Sequence, residues 1–239
     1  MVNHLDKHNF IRDSQHGFRK GYSCTTNLLT FLEDVTKEIN NNHSVDTIYL
    51  DLVKAFGKVP HQRFTSKLTT HGVDCLVVSW IKAWLFGRWQ RVCIDGTYSS
   101  WRMVWSGVPL GSILGPLLFL IFINDPDGAI CSNVGLLKFA DDTKVYGIVD
   151  NKQQGQKYGM TWILLLSWAV KWHMKFSVEK CKVVHYGRNS IVYKYSMYGR
   201  QLEEVTSEID LGVVFSNDLK VASLNNVRKL TVEQIGFWG

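Results

Sequence analysis

The chain has 239 residues, of which 46% are hydrophobic and 20% are charged, and only four are proline. This composition excludes a disordered chain and provides enough apolar material for one sizeable core. The formal net charge of +6 suits a polyanionic partner, although an ordinary basic domain has the same balance.

Neither export nor membrane insertion is expected from the sequence. The first residues contain no apolar segment of the signal-peptide type, and the longest apolar run, residues 113–123, is shorter than the roughly 20 residues of a membrane span. The five cysteines are not spaced as zinc ligands, and their odd number argues against a complete disulfide framework. We therefore expect reduced thiols in an intracellular compartment.

Helical and extended patterns alternate along the first half of the chain. The first is a helix with Leu28, Leu32, Val35 and Ile39 on one face and Thr25 or Thr26 as its cap. A strand over residues 47–50 follows and ends at Asp51. Two short helices within residues 62–89, separated by Gly72, and a hairpin with Asp95-Gly96 as its turn complete this half.

The second half begins with a glycine-rich loop, residues 106–112. After it we predict an apolar helix over residues 113–123 with Ser112 as its cap, two strands over 134–140 and 143–149 joined at Asp141-Asp142, a helix over 160–172, a strand over 182–186 and a short strand over 209–214. Helices interleaved with antiparallel hairpins predict an α+β fold, an antiparallel sheet with helices packed on one face.

Acidic residues interrupt two of the apolar strands. Asp51 ends one, and Asp141 and Asp142 lie together at the bend of the later hairpin. Adjacent carboxylates repel each other unless a cation neutralises them, and three of them can hold the metal pair of a phosphoryl-transfer site. On the pair alone, a solvated hairpin turn is the more common explanation, and Asp51 alone could simply cap its strand.

The flanking residues extend these features into six blocks that resemble a known family. In chain order they are QHGFRKGYS (15–23), YLDLVKAFGKVPH (49–61), SGVPLGSILGPLLFLIFIND (106–125), FADDT (139–143), WHMKFSVEKCK (172–182) and LGV (211–213). Together they resemble the reverse transcriptases of non-LTR retrotransposons (LINE elements), and among these the jockey- and CR1-like elements are the most similar.

The resemblance implies a single, truncated reverse transcriptase domain. Residues 1–45 would be partial fingers, 46–190 the polymerase palm, and 191–239 the end of the palm and the start of the thumb. The implied function is RNA-directed DNA polymerase, which transfers deoxynucleotides to the 3′-hydroxyl of a DNA primer on an RNA template by a two-metal mechanism. Such a protein would act in the cytoplasm and nucleus without a membrane; nothing indicates its oligomeric state.

The resemblance also implies site residues. Asp51, Asp141, Asp142 and the backbone carbonyl of Leu52 would hold two Mg²⁺ ions, with Mn²⁺ as a substitute. The nucleotide-binding residues would be Phe56, which packs under the sugar and disfavours a 2′-hydroxyl, and the loop residues Gly107, Pro109, Leu110 and Gly111. Lys180 or Lys182 could protonate the leaving pyrophosphate. Alternatively, Phe56 is a core aromatic and both lysines are solvated.

Three departures from the family pattern bear on activity. Leu110 stands where the family has a glutamine that helps to position the template–nucleotide pair, and Gly57 stands where it has an aspartate. The resemblance places the first finger strands of the family before residue 1, so we expect this chain to lack them. We therefore expect the aspartates to bind magnesium and the chain alone to polymerise weakly or not at all. The alternative functions are a decayed copy that binds nucleic acid without catalysis and a two-metal nuclease, which Phe56 and the glycine-rich loop disfavour.

Arg88, Trp89 and Arg91 form a basic segment with an interleaved aromatic residue. This is typical of grooves that follow a nucleic-acid strand. It is equally compatible with a core tryptophan flanked by surface arginines.

Overall fold

The computed structural model describes residues 5, 7, 9–109, 111–130, 134–187 and 192–219. Its helices are α1 (Cys24–Asn40), α2 (Ala55–Lys58), α3 (His61–Thr70), α4 (Cys75–Leu85), α5 (Leu114–Phe122) and α6 (Lys152–Lys171), with a 3-10 turn over Pro126–Ala129. Its strands are β1 (Val45–Leu50), β2 (Trp89–Gln90), β3 (Cys93–Ile94), β4 (Thr97–Tyr98), β5 (Arg102–Met103), β6 (Val134–Phe139), β7 (Asp142–Ile148), β8 (Lys182–Tyr186), β9 (Ser196–Met197), β10 (Arg200–Gln201), β11 (Glu203–Glu204), β12 (Ser207–Asp210) and β13 (Val213–Ser216).

Within the described ranges, five strands form the central sheet, in the order β11-β8-β1-β7-β6. All neighbours are antiparallel except β11 and β8. β1 lies in the middle and is buried along its whole length. Its last residue, Leu50, pairs with Thr143 of β7, and this register determines what meets at the end of the two strands.

Both faces of the sheet are covered. Alternate residues of β1 point to opposite faces, so Ile48 joins the larger hydrophobic cluster and Tyr49 the smaller one. The larger cluster takes its helical residues from α3, α4, α5 and α6, and the smaller one from α1, with Val213 and Phe215 of β13. The α+β class is therefore confirmed. The expectation that helices pack on only one face of the sheet is wrong, because α1 covers the second face.

The apolar residues of α1 recur at helical spacing, as predicted. Leu28, Phe31, Leu32 and Val35 are buried against the sheet. The cap is Ser23 rather than Thr25 or Thr26: its side chain accepts from the Thr26 N–H, and the Thr26 side chain bonds back to the Ser23 N–H. This reciprocal pair is a capping box, which satisfies two otherwise unpaired backbone donors.

Two elements differ from prediction. α6 begins at Lys152, eight residues before the predicted start, because Asn151 caps it and Gly155 packs against Tyr193 despite its poor helix propensity. The single strand predicted over residues 209–214 is wrong: these residues belong to the hairpin of β12 and β13. The other predicted elements are confirmed to within a few residues, including the Asp95-Gly96 turn, where both residues have positive φ.

Charged groups inside the fold have partners. Asp46 of β1 is fully buried, with its two carboxylate oxygens 2.6 Å from His185 Nδ1 and 2.5 Å from the Tyr195 hydroxyl. Lys67 donates to the Phe122 carbonyl at the end of α5 and to Asp125. The described helices include none that is both long and apolar enough to cross a membrane.

Candidate active site

The three aspartates meet where the two central strands end. Because Leu50 pairs with Thr143, Asp51 follows one step beyond, beside Asp142, the first residue of β7. Asp141 occupies the two-residue turn from β6 to β7. Asp51 and Asp142 line a cavity of about 400 Å³ that opens between the sheet and the β12–β13 hairpin.

Negative charge is concentrated at this point. Burial raises the pKa of Asp142 to about 6, and Asp141, Asp210 and Asp51 add to the shift. Burial also raises the pKa of Asp141, with a contribution from Asp51. The ammonium of Lys180 lies 3.2 Å from Asp51 and offsets part of this charge. The site therefore favours a cation.

The donor chemistry fits a hard divalent metal. Carboxylates and a backbone carbonyl are the oxygen ligands that magnesium prefers, and the mutual repulsion of the aspartates is what such an ion would relieve. As the described residues stand, no three side chains of Asp, Glu, His or Cys are close enough together to form a ready-made metal cluster. The carboxylates would have to draw together when a metal binds.

The N-terminal segment holds the turn that carries Asp141. Ala140 has a left-handed backbone with φ of 56°, which is unfavourable for a residue with a Cβ. Gln15 holds it there, because its side chain donates to the Ala140 carbonyl and accepts from the Ala140 N–H. Gly17 passes so close that a Cβ would lie 2.4 Å from the Ala140 nitrogen. Gln15 and Gly17 thus have a positioning role that the sequence did not indicate.

The segment after α6 supports Asp51 from the other side. Ser177 N–H donates to the Asp51 carbonyl, and Leu52 bridges to Phe176. The structure separates the two candidate lysines, since Lys180 reaches the Asp51 carboxylate whereas the ammonium of Lys182 pairs with Glu203. Leu52 is buried by its side chain, and the part of its carbonyl in metal binding stays a prediction.

Phe56 packs on the apolar helix α5. Its ring is half-buried and stacks on Phe119 of α5, with ring centroids 4.1 Å apart. The Phe56 carbonyl accepts from Val108 N–H, so the aromatic residue and the glycine-rich loop are tied together. This contact agrees with both the sugar-packing role and the core role that the sequence left open.

The glycine-rich loop depends on close backbone approach. At Gly107 φ is +93°, and a Cβ would come within 2.8–2.9 Å of three Gly57 backbone atoms. The Gly107 carbonyl accepts from Arg88 and lies 2.8 Å from His61 Nε2. Arg88 is therefore partly buried and structural, which its position in a basic segment did not reveal.

The remaining loop residues are less constrained. The Pro109 carbonyl accepts from the Ser112 hydroxyl, and Ser112 in turn accepts from Gly115 N–H. The N-cap position of α5 is Ile113, so the prediction of Ser112 as the cap is wrong by one residue. Gly111 is exposed with φ of +83°. Leu110 lies outside the described residues. A Cβ built on Gly57 would meet nothing within 4 Å. The structure therefore has room for the aspartate that the family carries at this position.

Comparison with known proteins identifies the chain. The model of the family described as "Reverse transcriptase (RNA-dependent DNA polymerase)" matches residues 1–237. The chain belongs to the reverse transcriptase family. The predicted resemblance is thereby confirmed.

Two relatives of this reverse transcriptase come from fruit-fly mobile elements. It is 29% identical over 177 residues to the RNA-directed DNA polymerase from mobile element jockey of Drosophila funebris, covering 70% of this chain and 19% of that protein. It is 25% identical over 197 residues to the probable RNA-directed DNA polymerase from transposon BS of Drosophila melanogaster, covering 74% of this chain and 20% of that protein. The chain thus spans about a fifth of the length of these relatives.

Among solved structures, the reverse transcriptase resembles the apo telomerase from Candida tropicalis. The TM-score is 0.58 at 14% sequence identity, over 90% of this chain and 43% of that chain. At this identity the likeness concerns the fold, and it agrees with the expected palm.

A buried ion pair between β7 and β12 was not predicted. Lys144 of β7 and Asp210 of β12 pair with side chains only 3% and 8% exposed, and both line the cavity with Asp142. The sequence held only a weak signal for this pair, namely that Lys144 lies within an apolar strand shortly after the Asp141-Asp142 pair. Its partner is 66 residues away and leaves no local pattern.

Proposed function

We propose that this chain is the catalytic domain of an RNA-directed DNA polymerase of a jockey-like mobile element. It would add deoxynucleotides to the 3′-hydroxyl of a DNA primer paired with an RNA template. The observation that carries the proposal is the meeting of Asp51 with Asp141 and Asp142 at the adjoining ends of β1 and β7, beside an open cavity.

In this proposal Asp51, Asp141, Asp142 and the Leu52 carbonyl hold two Mg²⁺ ions, for which Mn²⁺ can substitute. When bound, the metals neutralise the triphosphate and align the attacking and leaving oxygens. Gln15 positions Asp141 by holding the Ala140 turn, and Ser177 N–H holds the Asp51 carbonyl.

Other residues recognise the nucleotide. Phe56 supports its sugar and disfavours a 2′-hydroxyl, and the loop that includes Gly107, Pro109, Leu110 and Gly111 borders the template–nucleotide pair. Lys180 is the better candidate for the proton donor to pyrophosphate, because it lies at Asp51 whereas Lys182 is paired with Glu203.

The wider assignment follows the family. Residues 1–45 would be partial fingers, 46–190 the palm, and 191–239 the end of the palm and start of the thumb, although α1 packs directly on the central sheet. Residues 220–239 lie outside the described residues. Action in the cytoplasm and nucleus is part of the same proposal.

Primer extension tests the function. The purified chain would be given an RNA template, a DNA primer, Mg²⁺ and deoxynucleotides, alongside Asp142→Asn and the control Glu33→Gln, which neutralises an exposed carboxylate of α1 in the same way. We expect weak extension, because Leu110 replaces a polar residue, and a loss of about 100-fold or more in Asp142→Asn alone. A folded wild-type chain without any extension would contradict polymerase activity and favour a non-catalytic copy.

A further inference from the structure

We propose that a second surface, separate from the aspartate cavity, binds single-stranded nucleic acid. It consists of the aromatic ribbon, which we define as residues 88–105 with strands β2 to β5, and the basic cleft at its base. The identity of the strand as template rests on the proposed function. The binding itself does not.

The aromatic ribbon exposes large rings. Trp89, Tyr98, Trp101 and Trp105 are 58%, 56%, 55% and 79% exposed. The alternative in which Trp89 is a core residue is therefore wrong. Exposed apolar groups gathered on one segment mark an interaction site rather than ordinary surface.

Arg91 is held between two of these rings. Its guanidinium carbon lies 3.8 Å from the centre of the Tyr98 ring and 4.7 Å from that of Trp101. Within the described part of the chain, Arg91 has no ion-pair partner, so its edge donors are available to a phosphate. Stacked rings with an ordered arginine are the combination that binds bases and backbone of a single strand.

The basic cleft adjoins the end of the ribbon. It has a volume of about 510 Å³, and its lining includes Lys58, Arg63, His173 and Trp105. Its lining residues include no carboxylate. The ribbon itself carries three arginines against the single Asp95. This excess of positive charge is complementary to a phosphate backbone and favours nucleic acid over a protein partner, whose apolar surface would not require it.

The test is binding of a labelled oligouridine of about 20 nucleotides, measured by fluorescence anisotropy without primer or metal. Trp101→Ala/Trp105→Ala should weaken binding about tenfold or more, since each stacked base contributes appreciably. Arg91→Gln/Arg102→Gln should weaken it and make the logarithmic salt slope less steep by about 1.4, the value for two lost phosphate contacts. These side chains are exposed, so their replacement leaves the core intact.

The matched control is Lys152→Gln/Lys157→Gln, which removes two exposed positive charges from α6. An equal loss of affinity in this control would overturn the proposal, because it would show that binding depends on the total positive charge of the protein and not on the aromatic ribbon. Equal affinity for a duplex of the same length would also overturn it, because stacking needs unpaired bases. Asp142→Asn should bind normally, so failure of polymerase activity and failure of this site are distinguishable. Oligodeoxythymidine in place of oligouridine assigns the strand as DNA or RNA.

Discussion

At the scale of single residues, the site depends on backbone contacts that only particular side chains allow. Gly107 lies against the backbone of Gly57, and its carbonyl is held by Arg88 and His61. Phe56 is joined to the same loop through Val108. The glycine-rich loop therefore has a fixed position relative to Phe56.

We predict that Gly107→Ala lowers the free energy of unfolding by about 2 kcal/mol or more, because it adds a clash to an unfavourable φ. Gly111→Ala is the control, since φ there is +83° and the space is open. It should cost about 1 kcal/mol. Urea unfolding measures both, and equal losses would show that the approach to Gly57 is not tight.

Sequence reasoning singled out the three aspartates and missed the residues that hold them in place. Asp51, Asp141 and Asp142 interrupt apolar runs, which is visible locally. Gln15 was visible only as part of a motif, because its bonds to Ala140 span 125 positions. Polar contacts between distant segments leave no periodicity from which they could be predicted.

At the scale of elements, the β12–β13 hairpin closes one side of the cavity. It is attached to β7 by the buried pair of Lys144 and Asp210, and Phe215 enters the smaller cluster. Burial lowers the pKa of Lys144, and Asp210 opposes this shift. The pair thus connects the hairpin to the strand that begins with Asp142.

We predict that Asp210→Ala costs about 3–5 kcal/mol of unfolding free energy, since it leaves a buried ammonium without its partner. The double variant Lys144→Met/Asp210→Leu should recover most of that stability, because an apolar pair of similar volume needs no desolvated charge. Chemical denaturation compares them. A single variant as stable as the wild type would show that the hairpin is held by other contacts.

Element prediction failed where packing overrides local preference. The first two turns of α6 contain Gly155 and Gly159, and the Asn151 cap and the close approach of Tyr193 to Gly155 favour a helix there despite them. The turn at Leu211-Gly212 was missed because Leu211 has positive φ, which a leucine rarely adopts. Neither feature could be inferred from periodicity.

At the scale of the whole molecule, the fold is a sheet buried between two hydrophobic layers. The sequence suggested helices on one face because helical and hairpin patterns alternate along the chain, an order that does not say which face each helix covers. The polar residue Asp46 of β1 is buried with His185 and Tyr195. Which helix covers which face follows from strand register, and a single sequence does not encode that register locally.

We predict that His16 lowers the stability of the fold as the solution is acidified from pH 6.5 to pH 4, against an opposite contribution from Asp142, whose raised pKa favours the folded state in this range. Burial lowers the pKa of His16 to about 4, below its ordinary value of 6.5. Between these two pH values the unfolded chain binds a proton at His16 and the folded chain does not, so protonation favours the unfolded state. His16→Gln should reduce this loss by on the order of 1 kcal/mol. Urea unfolding at several pH values measures it, and an unchanged pH dependence would contradict the assignment.

The bond between Gln15 and Ala140 also has a consequence in time. The helices and the β6–β7 hairpin can form from nearby sequence, whereas the Ala140 turn gains its bonds to Gln15 only after the chain has closed a loop of 125 positions, and β1 likewise meets β7 and β8 across long loops. Such closures are slow because their entropy is lost before any contact rewards them. On refolding, the helices and the β6–β7 hairpin would therefore return first, and Asp141 would reach its place beside Asp51 only when the central sheet closes.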